Sequence, residues 1–257
     1  MKALITGASS GLGRDMARVL SSMGYDIIAV ARREEALLEL KAELKTEVTV
    51  VKCDLSKEEE CMALSRYAKE TDILINNAGF GVFGEFAESE LSSELKMIDT
   101  NVRAVHILTK IFVKEFKKRG SGHILNVASL AAFFPGPLFG AYYASKAYVL
   151  RLSQGIAEEL RKEKSKVKIS VLCPGPVHTG FEKASGVSFG TGTEKMKGMI
   201  LESRPVAEYA IKKMLSGKEV IIPGFLMKAG VFMRHFLSDK ALAKALYFIQ
   251  SKKMIGK

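Results

Sequence analysis

Seven short apolar runs alternate with longer stretches of helical periodicity, and this alternation narrows the fold more than any other feature of the chain. The runs fall at 2–6, 26–31, 48–53, 72–76, 122–128, 167–173 and 219–222, rich in β-branched residues and bounded by Gly, Asp, Asn or Pro. Between them, near 12–23, 34–45, 57–69, 91–118, 141–163 and 205–216, apolar residues recur at helical spacing. Strands that are apolar throughout, rather than at every second residue, need cover on both faces, and strand–helix–strand repetition supplies it. The pattern predicts an α/β fold: a doubly wound, seven-stranded parallel sheet with helices on both faces. No Ser/Pro-rich linker or shift in composition interrupts it. Residues 1–257 are therefore read as one domain, with a core of 1–222 and a helical extension of 223–257.

A chain of 257 residues, 47% hydrophobic and 26% charged, buries an ample core without disulfides or metal. The three cysteines, Cys53, Cys61 and Cys173, lie in no metal-type spacing, and the four histidines are scattered. No metal site is expected. Cys53 and Cys173 sit in strand-like runs, which reads as buried thiols in a reducing, cytoplasmic setting. The N-terminus enters a strand at Lys2, so no signal peptide is expected. The formal charge of +11 is spread over many predicted helices, as on a solvated surface, and would also attract phosphorylated cofactors or lipid headgroups. No basic patch is interleaved with base-stacking aromatics, so nucleic acid is not an expected partner.

The first strand runs into Thr6-Gly7-Ala8-Ser9-Ser10-Gly11-Leu12-Gly13 and then into an amphipathic helix. Strand, glycine turn and helix in that order make a pyrophosphate cradle. The glycines permit a tight turn and close approach, while the helix N-terminus carries partial positive charge. This marks the sheet as Rossmann-type. The second strand ends in Ala31-Arg32-Arg33, without the acidic residue that would hold a free ribose 2′-hydroxyl. Two guanidinium groups suit a 2′-phosphate, and Ser9 and Ser10 can donate to it. The expected cofactor is NADP(H) rather than NAD(H).

Ser129 ends the fifth strand. Tyr142 and Lys146 stand four apart at the start of a long helix and so share one face. A phenol titrates near ~10 in water, and a neighbouring ammonium with an oxidised nicotinamide would draw it toward working range. Ser129 can hydrogen-bond a substrate oxygen as charge develops there. Tyr143 lacks a lysine four residues on; it points about 100° around the helix and is read as a packing residue.

Together these segments resemble the short-chain dehydrogenase/reductase family over roughly residues 1–222. The glycine motif of that family corresponds to Thr6–Gly13, its adenine-side acid to Asp54 followed by Leu55, and its NNAG to Asn76-Asn77-Ala78-Gly79. Its PGxxxT corresponds to Pro174-Gly175-Pro176-Val177-His178-Thr179, with backbone and hydroxyl facing the nicotinamide carboxamide. Its catalytic tetrad corresponds to Asn101, Ser129, Tyr142 and Lys146. The resemblance implies that Tyr142 protonates a carbonyl oxygen and that Ser129 polarises it. It implies that Lys146 binds the nicotinamide ribose and opens a proton relay through a water held by Asn101. A ketone or aldehyde is reduced, or an alcohol oxidised. A catalytically silent NADP-binding sensor or scaffold is the alternative from another class.

The apolar residues Phe80, Val82, Phe83, Leu130, Phe133, Phe134, Phe139, Phe181 and Phe189 follow the motif ends and predict a pocket for a hydrophobic, lipid-like substrate. Residues 185–193, rich in glycine, read as a loop near the site. Phe225, Ala229, Phe232, Met233, Phe236 and Leu237 recur at helical spacing, as do Leu242, Ala245, Leu246 and Ile249. Among them fall Lys228, Arg234, Lys240, Lys244, Lys252 and Lys253. Such an extension can cap the pocket or a dimer, lie on a membrane surface, or form a lid across a subunit interface. A homodimer through 91–118 and 141–163 is the expected assembly.

Overall fold

The computed structural model describes residues 1–179, 181 and 200–251. The expected loop at 185–193, with Phe189, and the terminal Lys252 and Lys253 lie outside the described residues. Seven parallel strands form the main sheet: β1 (Lys2–Thr6), β2 (Asp26–Ala31), β3 (Val48–Lys52), β4 (Ile73–Asn76), β5 (His123–Val127), β6 (Lys168–Leu172) and β9 (Val220–Ile221). Their order is β3-β2-β1-β4-β5-β6-β9. The chain winds outward from β1 in one direction and from β4 in the other, so the β1/β4 boundary is the topological switch point where such sheets open a crevice.

Side chains alternate between two cores. Ala3 and Ile5 of β1, Ile27 and Ala29 of β2, and Ile73 and Ile75 of β4 pack on one face. They meet α1 (Gly11–Ser22), α2 (Glu34–Glu43) and α7 (Ser203–Leu215). Leu4, Ile28, Val30, Leu74 and Ile124 pack on the other, under α3 (Glu58–Ala63), α5 (Ala104–Arg119) and the end of α6 (Gly140–Lys162). Period-two alternation with both faces buried is why these strands read as unbroken apolar runs.

Three departures from the predicted elements have local causes. The helix expected over 57–69 is α3 followed by a 3-10 turn, Leu64–Tyr67. The helix expected over 91–118 is divided: α4 (Leu91–Ile98) passes through a π turn, Asp99–Arg103, into α5. The extra residue in that turn carries Asn101 to the inner face, where it is 0% exposed. A short parallel pair, β7 (Val177–His178) and β8 (Leu201–Glu202), forms a second sheet that the apolar pattern does not reveal. The extension folds as α8 (Phe225–Met233), a 3-10 turn (Arg234–Phe236) and α9 (Asp239–Ser251).

Candidate active site

A cavity of about 640 Å³ opens at the carboxyl ends of the central strands, on the switch point. Every residue predicted to bind cofactor or act in catalysis lines it except Gly13 and Asn101. These two have supporting places instead. A Cβ on Gly13 would lie 2.4 Å from the Gly7 carbonyl oxygen and from Asn77 Nδ2, so glycine there lets α1 sit directly on the turn. The turn is held from below by Thr6, whose hydroxyl accepts the backbone N–H of Asn77 (3.0 Å) and of Ala78 (3.1 Å). Asn77 returns its side-chain amide to the Thr6 carbonyl at 3.0 Å. The ends of β1 and β4 are thereby locked together at the crevice floor. Gly7 adopts φ +68, which glycine tolerates without strain.

At the end of β2, Arg33 Nη2 donates to Ser9 Oγ at 3.2 Å, and Arg32 is exposed beside it. Across the cleft, burial works against the Asp54 carboxylate. The side-chain and backbone hydrogen bonds from Ser56, with the charges of Lys96 and Arg32, hold it below its ordinary value all the same. It stays anionic at neutral pH. The groups present fit an adenine dinucleotide: a glycine cradle for the diphosphate, two guanidinium groups at the end of β2 and a fixed acid opposite.

The reactive end is built by the tip of β5 and the first turns of α6. Ser129 stands where β5 gives way to a 3-10 turn, Leu130–Phe133, and its Oγ accepts the Ala131 N–H at 3.1 Å. Ser129 and Tyr142 both line the cleft, and Ser129 is the neighbour that lowers the phenol, so the two groups converge there. Phe139 stacks on Tyr142 with ring centroids 4.5 Å apart, and Phe181 flanks it at 5.4 Å. Burial in this aromatic box raises the phenol above its ordinary value, and Ser129 draws it only partly back. Lys146 lies behind, its Nζ donating to the Val127 carbonyl at 2.9 Å and sitting 5.8 Å from the Tyr142 ring centroid. Burial lowers its ammonium to about 8. The lowering of the phenol by Lys146 expected from sequence does not appear here: burial and Tyr143 raise the phenol, Ser129 is what lowers it, and it holds its proton through neutral pH.

Asn101 acts from the second row. Its amide donates to the Phe80 carbonyl (2.8 Å) and to Ser145 Oγ (3.2 Å), and its oxygen accepts the Phe80 N–H (3.1 Å). It ties the loop after β4 to α6. Both N–H donors of the Asn101 amide are thus committed to protein groups. Gly79 separates Asn101 from Lys146: a Cβ there would meet Asn101 Oδ1 at 2.9 Å and Lys146 Nζ at 3.2 Å.

Of the expected pocket residues, Phe80, Phe83, Leu130, Phe139 and Phe181 line the cavity. Val82 lines a smaller neighbouring hollow, Phe133 packs against a buried cluster that includes Val149 and Leu150 of α6 and Val171 of β6, and Phe134 does not reach the cavity. The extension supplies two residues that escaped the sequence reading. Gln250 of α9 lines the cavity, and its Nε2 donates to the Tyr143 hydroxyl at 2.9 Å. Met227 of α8 is buried against Gly175. Tyr143, expected as a packing residue, seats its ring over Gly136 but also faces the cavity. The extension had a clear apolar period, but nothing in that period singles out a glutamine 107 residues from its partner.

Residues 1–187 match the family model described as short chain dehydrogenase. The chain belongs to the short-chain dehydrogenase/reductase family. Among its relatives in that family, a farnesol dehydrogenase of Aedes aegypti is 31% identical over 80% of this chain and 86% of that protein. A short-chain dehydrogenase from Sphingobium yanoikuyae, solved in complex with NADPH, superposes with a TM-score of 0.79 at 26% identity, covering 92% of this chain and 96% of that one. A short-chain dehydrogenase/reductase from Burkholderia phymatum, solved in complex with NAD, gives 0.80 at 28% identity, covering 91% and 92%. Membership makes the chain one of an oxidoreductase family that uses nicotinamide cofactors on small molecules; its neighbours divide between NADPH and NAD.

Proposed function

We propose that this chain is an NADP(H)-dependent carbonyl reductase for hydrophobic, lipid-like substrates, able to run in reverse as an alcohol dehydrogenase. The observation that carries the reading is the convergence of Ser129 and Tyr142 on one cavity, with Lys146 Nζ 5.8 Å from the Tyr142 ring centroid. Bound NADPH would supply a hydride to the carbonyl carbon. Tyr142, held protonated by its burial, gives its phenolic proton to the carbonyl oxygen, and Ser129 hydrogen-bonds that oxygen as charge gathers on it. Lys146 stabilises the phenolate left behind, and Asn101 keeps α6 and the loop after β4 in register. Residues 1–257 act as one domain, a core of 1–222 and an extension that covers the cavity.

Support for NADP(H) over NAD(H) comes from Arg33 laid on Ser9, Arg32 beside it, and Ala31 where an acid would repel a 2′-phosphate. The phenylalanine lining supports an apolar substrate, and the farnesol dehydrogenase relative is consistent with one. The three buried free cysteines, with thiols pushed up to about 11 or 12, suit a reducing cytoplasm. Exposed Leu91, Leu95, Ile98 and Tyr148 on α4 and α6 support a dimer through those helices. The outer side of the extension exposes Phe225, Phe232 and Phe236 beside Lys228, Lys240 and Lys244, which supports contact with an anionic membrane surface.

The deciding test is turnover of NADPH with a panel of apolar ketones. Tyr142→Phe is expected to lower kcat by about 10²–10⁴-fold with cofactor affinity kept. Cofactor binding without turnover in the unaltered protein would instead favour a silent sensor. NADPH is expected to outperform NADH, and Arg33→Ala to narrow that preference.

A further inference from the structure

The cavity has two polar ends. One is the reactive end at Ser129 and Tyr142; the other is the pair Tyr143 and Gln250, reached across the Phe139 ring. Gln250 is 4% exposed, and its amide nitrogen donates to the Tyr143 hydroxyl at 2.9 Å. Its amide oxygen is buried and has no hydrogen-bond partner among the described residues. A buried acceptor left without a donor is costly, and α9 could hold an apolar side chain at this position at no such cost. The hydroxyl hydrogen of Tyr143 also has no acceptor among the described residues, so the pair offers at least one acceptor and one donor. Turning the amide over leaves the same sum: the hydroxyl then donates to the oxygen, and the nitrogen and the phenol oxygen remain. One donor beside one acceptor is the complement of a hydroxyl group, which both gives and takes a hydrogen bond.

We infer that Tyr143 and Gln250 form a second subsite that binds a hydroxyl group carried by the substrate at a distance from its reacting carbon. The substrate class is then a hydroxy-ketone, or in reverse a diol, on an otherwise apolar skeleton. This rests on the carbonyl-reductase reading and extends it. Phe139 packs against both rings, with centroids 4.5 Å from Tyr142 and 6.0 Å from Tyr143, so one aromatic ring separates the two polar ends. Phe83, Phe139 and Leu130 line the cavity that takes the apolar skeleton. The extension thereby acts in specificity, since without α9 the subsite has no acceptor.

The probes are 1-decalone and its ring-hydroxylated isomers, assayed with NADPH. In the unaltered protein at least one hydroxy isomer is expected to exceed the parent ketone in kcat/KM by about 10-fold or more, through KM. Gln250→Leu and, separately, Tyr143→Phe are expected to bring that ratio to near 1. A ratio that survives both substitutions, or no preference for any hydroxy isomer in the unaltered protein, overturns the subsite. If no ketone is turned over at all, the reductase reading fails by itself. The subsite is then judged by calorimetric binding of the same probes: tighter binding of a hydroxy isomer that Gln250→Leu removes upholds it, and equal binding overturns it.

Discussion

At the residue scale, one consequence of burial runs through the whole site: it keeps the Tyr142 phenol protonated and lowers Lys146 to about 8. Reduction needs a phenol to give and an ammonium to receive the charge left on it. Lys146 is cationic below about 8 and neutral above, so kcat/KM for reduction is expected to fall as pH rises through about 8. A pH–rate profile between 6 and 10 checks this, and Lys146→Arg should move the fall upward. The same depression bears on stability. Because the folded value lies below the ordinary 10.5, the unfolded chain binds more protons between about 8 and 10.5, and stability rises with pH across that window. Below it the full cost of a buried charge is present, on the order of 3 kcal/mol from a shift of this size. Lys146→Met is therefore expected to raise stability at pH 7 by ~1–3 kcal/mol in denaturant melts, while removing activity. Loss of its bond to the Val127 carbonyl offsets part of the gain.

At the scale of elements, the glycine turn and the first helix stand or fall together. Gly13→Ala would drive a methyl group against the Gly7 carbonyl and against the Asn77 amide, which donates to that carbonyl and to the carbonyl of Thr6. The expected outcome is a loss of ~1–3 kcal/mol in stability and weaker NADPH binding, read by thermal melts and fluorescence titration. The strands were legible because both sheet faces are buried, which leaves continuous apolar runs that end in motif residues. Ser129, Tyr142 and Lys146 were legible for a similar reason: a strand end and one helix face bring them together, and both can be read from spacing. The inward turn of Asn101 was not, because a π turn leaves no mark in apolar periodicity. Nor was the β7/β8 pair, whose strands of two residues each are too short to carry a pattern. The pairing of Asn76 with Asn126 across neighbouring strands, 2.8 Å apart beneath the cleft, had a faint sign in two asparagines at matching strand ends.

At the scale of the molecule, the extension joins the site to the surface. Its inner side places Met227, Leu242 and Gln250 in buried positions, whereas Phe225 on its outer side is 83% exposed. None of the described helices is long and apolar enough to cross a membrane. Co-sedimentation with vesicles containing anionic phospholipid is expected at low salt and should be lost in the Phe232→Glu, Phe236→Glu double variant. The assembly expected through α4–α6 predicts a dimer mass by light scattering, reduced to that of a monomer by Leu95→Glu.

The most direct test of the central claim is a crystal structure of the protein with NADP+ and a bound ketone. The carbonyl oxygen is expected within hydrogen-bonding distance of both the Ser129 and Tyr142 hydroxyls, with its carbon facing the nicotinamide. A ketone seated in the cavity with its oxygen turned away from both hydroxyls would contradict the account.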